Sequence, residues 1–365
     1  MAADNGNLES IRMIANMLFF GKVIEQNKRK AFHYSKMAAD LGDDDSMYDC
    51  YIFLIKGDEI EKNEEEAIKY LKKAAEKENT SAMFKYADYL FDSNQDLGEA
   101  TRYIKKAIDN GCINAISYYG IVLMNGDGIE VNYKDAAKYL QKGIELNDEA
   151  SMFYYQILIL KDENESILRK KDAIKTIKSM SDNGYDEVMF EYGTFCDEGD
   201  LSELGVRIDK AKAAYYYKKS ADLGNPKSMN NYGSMLRNGL GVPMNKEEGI
   251  KYIEMAARKY NCDAMYNYGG MITDGILTDK DKMEGMKYLK ESSKMGDNEA
   301  KFALGKQLLA DGDDSNKEEA INYIKESADN GCELAVYQYA LILFRGDIVE
   351  QDQKKVAYYF IKAAD

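Results

Sequence analysis

The sequence predicts an all-α solenoid of about ten helix-turn-helix repeats of about 36 residues each. Three observations predict it: a composition rich in helix formers, a phrase that returns at a nearly constant interval, and columns of like residues at helical spacing. The chain has 365 residues, more than one hydrophobic core usually organises, which points to several domains or a repeat array. Ala, Glu, Lys, Met and Leu are plentiful, and there are 2 prolines and no tryptophan. Hydrophobic residues at 45% and charged residues at 31% describe a folded chain rather than a disordered one.

The returning phrase is KMAADLG ending at Gly42, KKAIDNG at Gly111, KKSADLG at Gly224 and KESADNG at Gly331. Weaker copies end at Gly6, Glu78, Asn147, Gly184, Tyr260 and Gly296. Successive spacings are 36, 36, 33, 36, 37, 40, 36, 36 and 35 residues. Each repeat runs from just after one ending to the next: 7–42, 43–78, 79–111, 112–147, 148–184, 185–224, 225–260, 261–296, 297–331 and 332–365.

The first helix of a repeat opens right after the preceding ending. Four residues on come Ser10, Ser46, Ala82, Ala115, Ser151, Val188, Ser228, Ala264, Ala300 and Ala335. Nine residues on, eight of ten are Gly or Ala, among them Gly193, Gly233, Gly269 and Gly305. Gly inside a helix costs about 1 kcal/mol against Ala, so its repetition predicts a close helix–helix approach where a Cβ would clash. A turn follows, such as NGDGIEVN at 125–132 and NGLGVPMN at 238–245. Pro226 and Pro243 fall outside helix interiors, where they do least harm.

The second helix carries Ala or Gly eleven residues before the ending in nine of ten repeats and Tyr eight before it in nine of ten, with only Thr176 breaking the Tyr column. Steps of three, four and seven residues put these on one helical face. Twelve residues before the ending seven of ten are acidic, and six before it seven of ten are Lys, the order that complements a helix dipole. Gly at seven of ten endings supplies a left-handed stop.

These columns resemble the Sel-one-like repeat, a relative of the tetratricopeptide repeat. Gly239-Leu240-Gly241-Val242 matches its glycine turn, and Ala213, Tyr216, Lys219, Ala221 and Gly224 match its second helix. The resemblance implies a right-handed α–α superhelix and a role as an adaptor in assemblies. Three repeats depart from the pattern. Repeat 148–184 lacks the Tyr and the glycine turn and has KDENES at 161–166 instead. Repeat 79–111 has a shortened turn, and repeat 185–224 has about four extra residues near LSEL at 201–204.

No constellation for catalysis stands out. His33 is the only histidine and sits beside the Tyr column of a second helix, so a Ser–His or Cys–His nucleophile has nothing else to use. The stretch DGDDSN at 311–316 lacks the Gly and Glu of a calcium loop. The glycine turns follow no strand and precede no Gly-Lys-Ser/Thr, so they are not phosphate loops. No enzyme activity, cofactor or metal is expected. Cys50, Cys112, Cys196, Cys262 and Cys332 are odd in number and have no CxxC spacing, which predicts reduced thiols and a cytoplasmic location. A net charge of −15 repels phosphate backbones, and no apolar run approaches the roughly 20 residues of a membrane helix, so neither nucleic acid nor membrane insertion is expected.

One stripe has the chemistry of a binding surface. Six residues after the ending, on the first helix, come Tyr48, Phe84, Phe153, Phe190, Tyr266, Phe302 and Tyr337, interrupted by Arg12, Ser117 and Asn230. In tetratricopeptide-type arrays such a column faces the concave surface, and the same column is equally suited to packing between repeats. The candidate partner contacts are Phe84, Phe153, Phe190, Tyr266, Phe302 and Tyr337, with Asn230, Asn231, Arg237 and Asn267 for a peptide backbone or carboxylate. The expected function is a protein or peptide scaffold. The alternative is a regulatory or targeting array in a larger protein whose enzyme domain, a kinase for example, lies elsewhere. Both ends look uncapped: AADNG at 2–6 reads as the close of a second helix, and IKAAD at 361–365 stops just short of its Gly. That predicts a piece of a longer array, with end-to-end self-association.

Overall fold

The computed structural model describes residues 7–57, 59–199, 201–273, 279–312, 314–346 and 351–363, which among them hold twenty α-helices and no strand. The chain divides into two compact units, Met1–Ala173 and Ile174–Asp365. The first holds α1 (Leu8–Phe20), α2 (Lys28–Asp40), α3 (Asp44–Lys56), α4 (Glu64–Glu76), α5 (Thr80–Asp92), α6 (Leu97–Asp109), α7 (Ile113–Asn125), α8 (Tyr133–Glu145) and α9 (Glu149–Lys161). The unit boundary falls inside α10 (Ile167–Asp182). The second unit holds α11 (Asp186–Asp197), α12 (Lys210–Asp222), α13 (Pro226–Asn238), α14 (Lys246–Arg258), α15 (Cys262–Thr273), α16 (Asp279–Lys294), α17 (Asn298–Ala310), α18 (Lys317–Asp329), α19 (Glu333–Arg345) and α20 (Gln353–Lys362). Each helix in a unit packs on its chain neighbours, and first helices also touch first helices, α7 on α9 and α15 on α17.

Local chemistry starts and stops these helices. Most open on an Asn or Asp whose side chain accepts an amide two or three places into the helix, as Asp43 does from Ser46 at 2.9 Å. The nine described repeat endings all have positive φ, from 58° at Tyr260 to 109° at Gly184. Glu78, Asn147 and Tyr260 therefore occupy the left-handed stop without being Gly. The DGDDSN segment lies partly outside the described residues, as do 2–6 and 364–365 of the two chain ends.

The mid-helix glycines sit where the two helices of a repeat meet. A Cβ on Gly233 would lie 2.7 Å from the Gly249 carbonyl oxygen, and one on Gly249 would lie 2.5 Å from the Gly233 carbonyl oxygen. At Gly305 it would meet Ile324 at 2.6 Å, and at Gly269 Leu289 at 2.3 Å. The apolar core runs without interruption from Ala39 to Leu158 in the first unit, and in the second from Ala221 to Ala320 and from Phe302 to Tyr359.

The Tyr column joins one repeat to the next. Tyr216 donates its hydroxyl to Asp182 at 2.7 Å and Tyr252 to Asp222 at 3.4 Å, while Tyr359 donates to Asp329. Six rings of the column also meet a Tyr of their own first helix edge to face, among them Tyr119–Tyr139, Tyr192–Tyr216 and Tyr339–Tyr359, all with centroids 4.9 Å apart. The carboxylate and burial together push the Tyr216 and Tyr359 hydroxyls well up from their ordinary range. The first-helix Tyr at eight residues past the ending is legible as a column, but the sequence reasoning did not use it.

Candidate functional site

The first helices carry the candidate stripe, and the structure grades its accessibility. Phe153 is 2% exposed and Phe302 9%, so both belong to the core and are not available to a partner. This corrects the reading that put them among the contacts. Burial is the physical reason: α9 packs on α7 and α8, and α17 on α15, α16, α18 and α19. Phe84, Phe190 and Tyr266 are half-buried, and Tyr337 is 53% exposed. Phe84 packs edge to face on Tyr118 at 5.6 Å, Phe190 lies 5.9 Å from Tyr217, and Tyr337 lies 6.2 Å from Phe360.

The amide residues form a chain across two first helices. Asn267 donates to Asn230 Oδ1 at 2.9 Å, and Asn230 donates to Asn231 Oδ1 at 3.5 Å. The Tyr217 hydroxyl of the preceding repeat lies 3.1 Å from Thr194 Oγ1. Asn230 is buried, so its amide is used up within the protein, whereas Asn231 and Asn267 are half-buried. The stem of Arg237 runs beside Gly249. Its guanidinium makes no ion pair among the described residues.

The first unit presents a different surface. Tyr48, Tyr51, Phe84, Tyr89 and Tyr118 are half-buried on α3, α5 and α7, interleaved with Asp49, Asp88, Asp92 and the Asp127 of the following turn. Lys85 binds Asp88 at 2.9 Å. Burial, then the neighbouring Asp45 and Asp43, push the Asp49 carboxyl up to about 6 against a small opposing pull from Arg12. Asp92 is raised by burial and by Asp88 and Asp127, with Lys85 opposing. Tyr118 is raised by burial and then by the negative charges of Asp88, Asp92 and Asp127. The sequence reasoning missed these carboxylates, because first-helix acids have no column of their own.

His33 is exposed on α2 and contacts Tyr34 edge to face at 5.6 Å. All five cysteines are free; Cys50 and Cys196 are buried, and burial pushes the Cys50 thiol up to about 12. Among the described residues no helix is long and apolar enough to cross a membrane, and no group of three or more His, Cys, Asp or Glu is gathered to hold a metal.

The Sel1 repeat pattern matches nine segments, residues 8–43, 52–79, 80–112, 113–148, 186–225, 226–261, 262–297, 298–332 and 334–365. The unmatched stretch 149–185 is the repeat that lacks the Tyr and the glycine turn. Among solved structures, a protective antigen of uropathogenic Escherichia coli with an SLR fold is similar at 21% identity and a TM-score of 0.57, covering 100% of this chain and 78% of its own. A Sel1 repeat protein from Oxalobacter formigenes is similar at 19% identity and a TM-score of 0.50, covering 72% of this chain and 75% of its own. At these identities the likeness concerns the fold. No curated protein matches in sequence. The matched segments, the paired helices and the left-handed endings agree, and the chain belongs to the Sel1 repeat family.

Proposed function

We propose that this protein is a protein–protein interaction scaffold that binds partner peptides or helices along its first helices. Sel1 and tetratricopeptide-like repeat proteins are generally interaction scaffolds. The observation that carries the reading is the set of partly exposed first-helix aromatics, Phe84 in the first unit and Phe190, Tyr266 and Tyr337 in the second, where the first helices also carry Asn231, Asn267 and Arg237. Aromatics with one face in water are effective anchors, and an unpaired guanidinium suits a carboxylate. Phe153, Phe302 and Asn230 would support that surface from beneath.

A photo-crosslinking amino acid at Phe84, Phe190 or Tyr266 should capture protein partners from a cell extract. The same group at Leu41 or Leu223, which are exposed at second-helix ends, should not. For a partner so captured, alanine at Arg237 or Tyr266 should weaken binding by about 1–2 kcal/mol. Adducts at the second-helix ends alone would overturn the proposal.

A further inference from the structure

We infer that Gly270 on α15 is the point where the main chain of an extended partner segment crosses the first helices of the second unit. This rests on the scaffold reading and decides between its two kinds of partner, an extended peptide and a helix. Gly weakens a helix more than any residue except Pro, so each mid-helix Gly needs a reason. Nine residues past a repeat ending, the reason lies inside the protein. A Cβ on Gly120, Gly193, Gly233, Gly269 or Gly305 would lie within 2.9 Å of a group on the second helix of its own repeat. Gly270 differs: a Cβ there would meet no described atom within 4 Å. No other repeat has Gly ten residues past its ending; Ser234 and Lys306 hold that place in the neighbouring repeats. The bare backbone of Gly270 is therefore not required by the protein's own packing, and it suits the close approach of another chain.

The surroundings show which chemistry approaches. Asp263, Tyr266, Asn267 and Gly270 follow steps of three and four, so they share one face of α15. All four reach solvent, while Ala264, Met265, Tyr268 and Met271 are buried. Asn267 donates its amide to Asn230 Oδ1 at 2.9 Å, which holds its side chain against α13. Its own Oδ1 has no hydrogen-bond partner among the described residues. Within one helical turn this face offers an aromatic ring, a held amide acceptor and, at Gly270, no side chain. A peptide N–H satisfies the acceptor, and main chain needs the room that a Cβ would take, because it cannot bend away as the end of a side chain can. A docked helix cannot do this. Its N–H groups bond within it, and the axes of packed helices stay about 8–10 Å apart.

The test uses the full chain and a phage-displayed library of random 12-residue peptides. Clones that bind the protein but not its Tyr266→Ala variant are kept, and one is made as a fluorescein-labelled peptide. Gly270→Ala should raise the urea midpoint, because Ala is the better helix former and nothing blocks its methyl, yet weaken the peptide by about tenfold. Glu247→Ala, on an exposed second-helix site, should leave binding unchanged. Methylating the peptide's backbone nitrogens one at a time should reveal one position whose loss of binding disappears in Asn267→Ala. Circular dichroism melting verifies that each variant is folded. A lower urea midpoint for Gly270→Ala means that packing needs the glycine, and unchanged affinity means that no chain lies against it; either overturns the inference. So does a peptide that binds as a helix, or one with no methylated position coupled to Asn267, and the scaffold reading then stands on the clone itself. A library with no clone that depends on Tyr266 overturns docking on α15 altogether, and the crosslinking at Phe84 then decides the scaffold reading independently.

Discussion

At the scale of single residues, backbone proximity is the strictest constraint. Gly233 and Gly249 each place a would-be Cβ against the other's carbonyl oxygen, and a peptide oxygen cannot swing away as a side chain can. Gly233→Ala should therefore destabilise the protein by about 2 kcal/mol despite the better helix propensity of Ala. Urea unfolding would measure it; a neutral or stabilising effect would show that the two helices can separate at no cost. Asp49 gives a pH-dependent counterpart. Its neighbours are Arg12 from α1 and Asp43 and Asp45 at the start of α3, and its carboxyl is raised from 3.8 to about 6 in the fold. The folded protein then holds this proton more tightly than the unfolded chain does. Stability from this group is complete below about pH 4 and is lost as pH rises through about 6. Asp49→Asn should stabilise the protein at pH 7.5 by on the order of 1 kcal/mol, less than the full shift because the group keeps contact with water. The gain should vanish at pH 3.5. A gain of the same size at both pH values would mean that the effect is packing, not charge.

At the scale of elements, the repeat 148–184 is the exception. The helix α9 ends at Asp162 in extended backbone, without the left-handed Gly that ends α7 or α13. Its Ser151 hydroxyl is buried with no hydrogen-bond partner and stands where a Cβ on Gly143 would clash, whereas the equivalent Ser228 hydroxyl reaches Ser220 at 2.7 Å. Thr176 has no ring to offer its first helix. Solenoid stability is roughly a sum over repeats and their interfaces, so this repeat should open first. Amide exchange should be faster in 148–184 than in 225–260 and 261–296, and equal protection would remove the argument. The departure was visible in the sequence, because a missing Tyr and a missing turn are both local features. The Tyr–Asp bonds between repeats were not, since they link residues 30 or more places apart, such as Tyr216 to Asp182.

At the scale of the whole molecule, large apolar side chains are exposed on the first and last described helices. On α1, Phe20 is 60% exposed, and on α20, Tyr358 is 58% and Ile361 63% exposed. Exposed apolar side chains of this size favour contact with a further copy. Sedimentation should show association that grows with concentration, and Tyr358→Ser with Ile361→Glu should reduce it. A strict monomer at high concentration would refute end-to-end contact.

The sequence by itself determined the helix pairs, their period, the glycine contacts and the irregular repeat, because helical spacing and a left-handed stop are local properties written in neighbouring residues. Only the tertiary structure decided which members of one aromatic column are accessible. Phe153 and Phe302 share a position with Phe84 and Tyr337, yet they are buried while the others meet water. It also decided that the Asp49 carboxyl is partly buried near Asp43 and Asp45, whereas Asp88 is paired with Lys85. Burial and charge balance depend on what neighbouring repeats bring to the same place, and no single repeat contains that information.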